Sequence, residues 1–174
     1  MNSIPIHSQL TNPDGSIVSI TYEDSDSFDN LLSKNVTQAY GVCFVGHRLV
    51  IVYSTKSNHW GLVGGSIETG ETYEECLKRE IKEESNMKVN SFLPIGYQEI
   101  VMENKTIYQL RYICLVEPYG NFISDPDESV TEIKLIDPKD HKQYFDWGEI
   151  GDRIIQRALE LKSHMESLGG KTSK

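Results

Sequence analysis

The segment from Trp60 to Met87, WGLVGGSIETGETYEECLKREIKEESNM, places a pair of glycines shortly before a capped, acidic helix. Thr72 followed by Glu75 forms a capping box, so the helix is predicted to begin just after Thr72. Gly64 and Gly65 lack a Cβ, which allows a sharp turn in which a backbone carbonyl comes close to a ligand. The segment therefore predicts a turn followed by a helix, with room for a bound group at their junction.

Helical geometry determines which glutamates are neighbours. At about 100° per residue, Glu80, Glu83 and Glu84 project to one side of the predicted helix. One interpretation is a solvent-exposed acidic face with ordinary ion pairs at four-residue spacing, such as Glu74 with Lys78. The other is a cluster in a cleft, where like charges about 6 Å apart repel by about 3 kcal/mol at an effective dielectric near 20. Such a cluster requires a counter-cation, and carboxylate oxygens suit Mg²⁺ or Mn²⁺.

Length and charge narrow the class of protein. A chain of 174 residues is the size of one domain and can bury a core without disulfides. The net charge of −9 and the pI near 5.0 argue against broad nucleic-acid binding, which requires clustered Lys and Arg. A polyanionic substrate would therefore need a metal cation between it and the protein.

Cysteine usage and hydropathy give a cellular context. Cys43, Cys76 and Cys114 are widely spaced, odd in number and form no CxxC motif, so we expect reduced core thiols in a cytoplasmic protein. The start of the chain lacks a basic region followed by an apolar run, and no stretch of about 18 apolar residues occurs. We expect neither export nor a membrane anchor.

Apolar patterning predicts strand pairs on both sides of the acidic helix. Residues 1–35 form a hairpin around TNPDG and then a polar connecting loop. A second hairpin turns at GHR, and two long strands, IGYQEIVMEN and TIYQLRYICLVEP, precede a short strand, TEIKLID. An apolar stripe at three- and four-residue steps predicts a terminal helix from Gly148 to about Leu168. The prediction is an α+β fold, a mixed and mostly antiparallel sheet between helices in an α/β/α sandwich.

Several residues of this segment match a known pattern. It resembles the box of the Nudix hydrolases, Gly-x5-Glu-x7-Arg-Glu-aliphatic-x-Glu-Glu-x-Gly-aliphatic, at Gly65, Glu71, Arg79, Glu80, Ile81, Glu83, Glu84 and Met87. Asn86 replaces the last glycine, where a positive φ is wanted and Asn is the next most tolerant residue. Val63 stands where relatives often have proline. The resemblance extends over 36–168, which leaves 1–35 as a hairpin extension packed on the domain and 169–174 as a disordered tail.

The resemblance implies roles for the box residues. Glu80, Glu83 and Glu84 would bind Mg²⁺ or Mn²⁺ with help from the carbonyl of Gly64, and they would be catalytic. Structural support would come from Gly65, Glu71 and Arg79. The implied reaction is hydrolysis of the pyrophosphate bond in a nucleoside diphosphate linked to another moiety. A catalytically silent nucleotide-binding or regulatory module is the alternative, and an isoprenoid diphosphate isomerase would need a cysteine and glutamate arrangement that we do not find.

Further candidates lie outside the box. Many relatives add a carboxylate from a downstream loop, and SDPDESVTE offers four, of which we favour Glu128 as a catalytic group. An ordinary acidic turn is the alternative for any one of them. Tyr40, Trp60 and Phe122 are candidates for stacking on a base, although most aromatic residues in such a fold belong to the core. The expected partner is a small-molecule nucleotide, and the oligomeric state, homodimer included, is left open.

Overall fold

The computed structural model describes residues 3–169, in which two helices pack on a mixed sheet. The strands are β1 (Ile6–Thr11), β2 (Ile17–Asp24), β3 (Val36–Val45), β4 (Arg48–Ser54), β5 (His59–Gly61), β6 (Val63–Ser66), β7 (Met87–Met102), β8 (Lys105–Pro118) and β9 (Val130–Ile136). The helices are α1 (Tyr73–Ser85) and α2 (Gly148–Gly169). Short 3₁₀ helices cover Asp29–Leu31 and Pro138–Gln143.

Strand order confirms the predicted mixed, mostly antiparallel sheet. The order is β1-β2-β7-β8-β3-β4-β5, with β6 paired to β3 and β9 paired to β4. Only the β3–β8 pair is parallel among the described strands. β3 therefore pairs with β8, β4 and β6, and the start of β3 lies beside the short strand that carries the glycine pair.

The two helices cover opposite faces of the sheet. Leu77 and Ile81 of α1 are fully buried in the core on one face. Ile150, Ile154 and Ala158 of α2 are buried in the core on the other face. The apolar stripe predicted for the terminal helix is thus its buried face, and the α/β/α layering is confirmed.

The ends of α1 follow the sequence signals. Thr72 Oγ1 accepts a hydrogen bond from the Glu75 amide at 3.1 Å, and a Glu75 carboxylate oxygen accepts one from the Thr72 amide at 2.8 Å. Asn86 adopts a left-handed conformation with φ of 53°, and its amide donates to the Lys82 carbonyl. β7 begins at the next residue, so both caps fix where the acidic helix starts and stops.

The N-terminal hairpin continues the sheet. β2 pairs with β7 from Ser19 opposite Val101 to Asp24 opposite Gly96. The Arg153 guanidinium of α2 donates from Nε to an Asp24 carboxylate oxygen at 3.1 Å. These contacts attach the end of the hairpin to both the sheet and the terminal helix.

Two regions differ from the sequence expectations in detail. The strand predicted from Ile95 begins at Met87 in the structure. Its first part was not predicted because shifts in register at Val89/Ser91 and Pro94/Gly96 interrupt the alternation of apolar and polar residues. The polar segment 25–35 was expected to be only a loop, yet Leu31 is buried and Phe28 packs edge-on against Tyr112. The predicted disordered tail lies outside the described residues, apart from Gly169.

Two sequence expectations concern the cysteines and the membrane. All three cysteines are buried and form no disulfides, as expected for core thiols.

Among residues 3–169, neither helix has the length and apolarity needed to cross a bilayer.

Candidate active site

Arg79 is the centre of the ion-pair network on α1. Its Nε donates to one Glu71 carboxylate oxygen at 2.7 Å, and its Nη2 donates to the other at 3.0 Å. Nη2 also donates to the Ser66 carbonyl at 3.0 Å, and the Glu68 amide donates to Glu71 at 3.0 Å. The hydrogen bond from Arg79 holds the pKa of the Glu71 carboxyl below its usual range. These contacts brace the loop between β6 and α1 against the helix.

Arg79 also holds two of the three helix carboxylates. Its Nη1 donates to Glu80 at 2.9 Å and to Glu83 at 3.1 Å. The Glu80 side chain is 13% exposed and that of Glu83 is 36% exposed. Burial raises the pKa of the Glu80 carboxyl, whereas the Arg79 hydrogen bond opposes that rise. One guanidinium therefore serves three carboxylates, counting Glu71.

Glu84 lies in a different environment. One of its carboxylate oxygens accepts a hydrogen bond from the Gly64 amide at 2.9 Å. It makes no ion pair within residues 3–169. Burial raises its pKa to about 8, and the neighbouring charges of Glu80, Asp125 and Glu83 act in the same direction. Glu84 is thus a partly buried carboxylate without a cation, a condition that a bound metal would relieve.

The glycine pair permits two close approaches. Gly64 has a φ of +149°, and a Cβ there would lie 2.3 Å from the Ala39 carbonyl oxygen. A Cβ on Gly65 would lie 2.7 Å from the carboxylate of Glu80. Gly64 therefore lets β6 lie against the backbone of β3, and Gly65 lets the Glu80 carboxylate rest on the backbone of β6.

The three helix glutamates, Arg79 and Gly65 line one polar cavity of about 500 Å³, whereas Gly64 and Glu71 are not among its lining residues. Its lining comprises Gln38, Ser54, Lys56, Gly65, Ser66, Glu68, Arg79, Glu80, Glu83, Glu84, Asp125, Pro126, Asp127 and Ser129. The fold thus brings the box carboxylates to the same cavity as the downstream acidic loop. The side of α1 that bears the box glutamates faces this cavity rather than bulk solvent.

The downstream loop distributes its carboxylates differently from the sequence expectation. Glu128 is exposed, has a φ of 52°, and is not among the described residues that line the cavity. Asp127 lines the cavity and is exposed. Asp125 is buried and accepts hydrogen bonds from the amides of Ser129 at 2.8 Å and Val130 at 2.7 Å. Asp125 therefore fixes the loop, while Asp127 and Glu128 are exposed, as is Glu132 at the start of β9.

The three aromatic candidates occupy different surroundings. Tyr40 lines a second cavity, where the Arg111 guanidinium lies 4.7 Å from its ring centroid. Trp60 packs against Tyr53 and Tyr144 and lines neither cavity. Phe122 is half-buried against the core on the α1 face and lines neither cavity. Of the three, Tyr40 is placed to touch a bound molecule.

Arg111 is the residue that sequence reasoning missed. It is 4% exposed and lies between apolar neighbours on β8, in the run Leu110-Arg111-Tyr112-Ile113. The available signal was a charged residue inside a strand with apolar residues on both sides. Such a residue is either paired or functional, because burying an isolated charge is costly.

The donor set fits a divalent cation in its chemistry. Three carboxylates on successive turns share one cavity, and hard oxygen ligands suit Mg²⁺ and Mn²⁺. In the present side-chain arrangement, no three His, Cys, Asp or Glu residues within 3–169 converge as a metal site. Glu80 and Glu83 both contact Arg79 Nη1, whereas Glu84 contacts the Gly64 amide.

The fold and this cavity together define an α/β/α domain with a glutamate box beside a mixed sheet. The sequence model of the NUDIX domain matches residues 36–158, and the chain therefore belongs to the Nudix family. A search of curated proteins found no match.

Solved structures show the same fold at low sequence identity. The Bacillus subtilis pyrophosphohydrolase BsRppH (E68A mutant) is 18% identical, with a TM-score of 0.65 over 89% of this chain and 97% of that one. The MutT NUDIX hydrolase from Burkholderia pseudomallei is 11% identical, with a TM-score of 0.55 over 71% and 98%. The NUDIX domain of Shewanella oneidensis NrtR, complexed with ADP ribose, is 16% identical, with a TM-score of 0.54 over 76% and 91%.

Proposed function

We propose that this chain is a Mg²⁺- or Mn²⁺-dependent nucleotide pyrophosphohydrolase. Its substrate is a nucleoside diphosphate linked to another moiety, and water splits the pyrophosphate bond. The observation that carries the proposal is Glu84, a partly buried carboxylate without a cationic partner in the described chain, in the same cavity as Glu80 and Glu83. A purely structural acidic helix would expose this side chain to solvent.

The chain's own residues divide the work. Glu80, Glu83 and Glu84 would hold the cation, with the Gly64 carbonyl as a further ligand. A bound divalent cation supplies charge neutralisation for the phosphates and lowers the pKa of the attacking water. The Gly64 amide positions Glu84, and Arg79 positions Glu80 and Glu83.

A catalytically silent nucleotide-binding module is the second candidate. The NrtR structure shows a NUDIX domain that binds ADP ribose, so binding is one use of this fold. The complete set of box carboxylates in this chain favours catalysis, because a module that only binds has no need of a partly buried Glu84 without a counter-ion.

A substrate panel tests the proposed function. Nucleoside triphosphates, dinucleoside polyphosphates, nucleotide sugars, ADP-ribose and 5′-triphosphorylated RNA are incubated with Mg²⁺ or with EDTA. Phosphate release is read with and without added phosphatase, which separates loss of pyrophosphate from loss of phosphate. We expect turnover of at least one compound with Mg²⁺ and none with EDTA. Tight binding without turnover across the whole panel would support the silent module instead.

Glu80 has two competing roles, and a metal titration separates them. We expect Glu80→Gln to weaken Mn²⁺ binding by about tenfold and raised metal to restore part of the rate, because Glu80 acts mainly as a ligand. Electron paramagnetic resonance measures the free Mn²⁺ directly. Glu68→Gln, which removes a charge from the same cavity wall, is the matched control and should leave Mn²⁺ affinity within about twofold.

A general base would give a different pattern at Glu80. Mn²⁺ affinity would stay at the wild-type value while kcat fell by about 10²- to 10⁴-fold, with no rescue by metal. That pair of results would contradict the ligand role and assign proton transfer to Glu80.

The downstream loop offers a paired comparison. We propose that Glu128 supplies a further catalytic carboxylate, which requires its exposed side chain to turn toward the cavity when substrate binds. Glu128→Gln is then expected to lower kcat by about tenfold or more at unchanged stability, as measured by steady-state kinetics and thermal melting. Asp127→Asn is the matched variant, since Asp127 already lines the cavity. Wild-type kinetics for Glu128→Gln with a loss for Asp127→Asn would move the role to Asp127.

A further inference from the structure

A second cavity, of about 530 Å³, lies on the face of the sheet that α2 covers. Its walls come from five parts of the chain: the N-terminal hairpin, β3, the β5–β6 connection, β7 with β8, and the start of α2. The hairpin contributes Ser8, Leu10 and Ile20, which lie outside the segment that the NUDIX domain matches. The N-terminal extension therefore forms part of this cavity.

The wall of this cavity contains a buried guanidinium. Arg111 donates from Nη2 to the side-chain oxygens of Gln98 and, at 3.0 Å, Gln109. Its Nη1 donates to the Leu110 carbonyl at 3.1 Å, and its face lies on the Tyr40 ring. Within residues 3–169 it has no carboxylate partner, and its Nε has no hydrogen-bond acceptor.

An uncompensated buried charge of this kind needs an explanation. A neutral residue of similar size would fill the same space, and its burial would avoid the free-energy cost of removing a charged group from water. Burial lowers the pKa of Arg111 to about 10, so the guanidinium is still charged at neutral pH. Two glutamines and an aromatic ring fix its orientation, and the second N–H of Nη1 is left without an acceptor in a side chain that lines the cavity.

Side chains connect this cavity to the carboxylate cavity. Gln109 donates through its amide nitrogen to the side-chain oxygen of Gln38, and Gln38 lines the carboxylate cavity. Tyr40 lies between the two groups of charges: burial raises its pKa, Arg111 opposes that rise, and Glu84 and Glu80 add to it. The two cavities therefore share a wall that contains Gln38, Tyr40 and Gln109.

We propose that the second cavity holds the base and that Arg111 selects a 6-oxopurine, guanine or hypoxanthine, over adenine. A guanidinium has only donors, and guanine offers two acceptors, O6 and N7, on one edge. Adenine replaces O6 with an amino donor, which would face a donor. This inference rests on the proposed function, since it assigns the base of the same substrate.

Groups on the α2 side of the cavity complement this choice. Asp146 lines the cavity and uses one carboxylate oxygen to accept from the Gly148 amide at 2.9 Å. Its other oxygen can accept from the N1–H or the amino group of guanine, whereas adenine has no N1–H. Trp147, 37% exposed, and Tyr40 place aromatic surface around the same space, which suits a flat base.

Metal-free binding tests the inference independently of catalysis. Guanosine 5′-monophosphate and adenosine 5′-monophosphate are titrated calorimetrically into the full chain in EDTA. We expect the guanine nucleotide to bind at least about tenfold more tightly. Arg111→Met keeps the side chain's length and removes its donors, and we expect it to reduce the preference to within about twofold. Arg48→Met, at an exposed arginine on β4, should keep the wild-type preference.

Opposite outcomes are distinct. Equal or tighter binding of the adenine nucleotide by the wild type would overturn the inference, as would an unchanged preference in a folded Arg111→Met variant. If Arg111→Met fails to melt cooperatively, the Gln98→Leu variant is tested instead. Gln98→Leu removes one of the two glutamines that hold the guanidinium, and it should reduce the preference for the guanine nucleotide at least about threefold. A guanine preference without turnover on any substrate would instead overturn the proposed function alone.

Discussion

Glu84→Gln is expected to lower the Mg²⁺-dependent kcat by about 10²-fold or more. The amide has nearly the same shape, and its oxygen can still accept the hydrogen bond from Gly64. Only the negative charge is lost, so a fall in kcat reports on the charge that holds the cation. Glu83→Gln should have a comparable effect on kcat, although the Glu83 side chain is partly exposed and can change its conformation more easily.

Stability separates this prediction from a folding defect. Because the Glu84 carboxylate is partly buried with no counter-ion in the described residues, replacing it with a neutral group should leave the melting temperature unchanged or higher. Glu74→Gln, an exposed position on the same helix, is the matched control and should keep wild-type kinetics. If kcat falls by less than about tenfold in both Glu83→Gln and Glu84→Gln at saturating Mg²⁺, the prediction is wrong. The acidic side of the helix would then be an ordinary solvent-exposed surface.

Gly64→Ala is expected to destabilise the protein by roughly 3 kcal/mol or more. The new Cβ would lie 2.3 Å from the Ala39 carbonyl oxygen and 2.6 Å from the Tyr40 Cα, and both are backbone atoms that cannot move aside locally. Activity should fall as well, since separating β6 from β3 displaces the amide that holds Glu84. Urea denaturation followed by circular dichroism measures the free energy of unfolding.

A second glycine with positive φ isolates the steric part of that effect. Gly70 has a φ of +85°, yet a Cβ there would meet nothing within 4 Å. Gly70→Ala should therefore cost only about 1 kcal/mol, the penalty of the backbone conformation alone. Equal losses at the two positions would mean that the contact between β6 and β3 does not determine the Gly64 requirement.

Local signals in the sequence predicted the acidic helix well. Its first turn follows from Thr72 and Glu75, whose side chains satisfy amides that the helix leaves unpaired. Its end follows from Asn86, which adopts the left-handed conformation that the box normally assigns to glycine. The glutamate spacing placed three carboxylates on one side, because spacing along a helix fixes direction without any tertiary information.

Tertiary choices were not accessible from the sequence. Nothing local distinguishes Asp125, which folds the loop by accepting amide hydrogen bonds, from Asp127, which lines the cavity. The start of β7 was missed because bulges break the two-residue alternation on which strand prediction depends. Arg111 was passed over because the acceptors around it, Gln98 and Gln109, become its neighbours only when the sheet assembles.

The central claim is that the box carboxylates support metal-dependent attack of water on a pyrophosphate bond. Phosphorus NMR of the products formed in ¹⁸O-labelled water, from the best substrate of the panel, tests it in wild type and in Glu84→Gln. The account predicts two phosphate-containing products with Mg²⁺, one ¹⁸O atom in only one of them, and no labelled product with EDTA or with Glu84→Gln at equal enzyme and time. Label incorporation that persists at the wild-type rate in Glu84→Gln or in EDTA would contradict it.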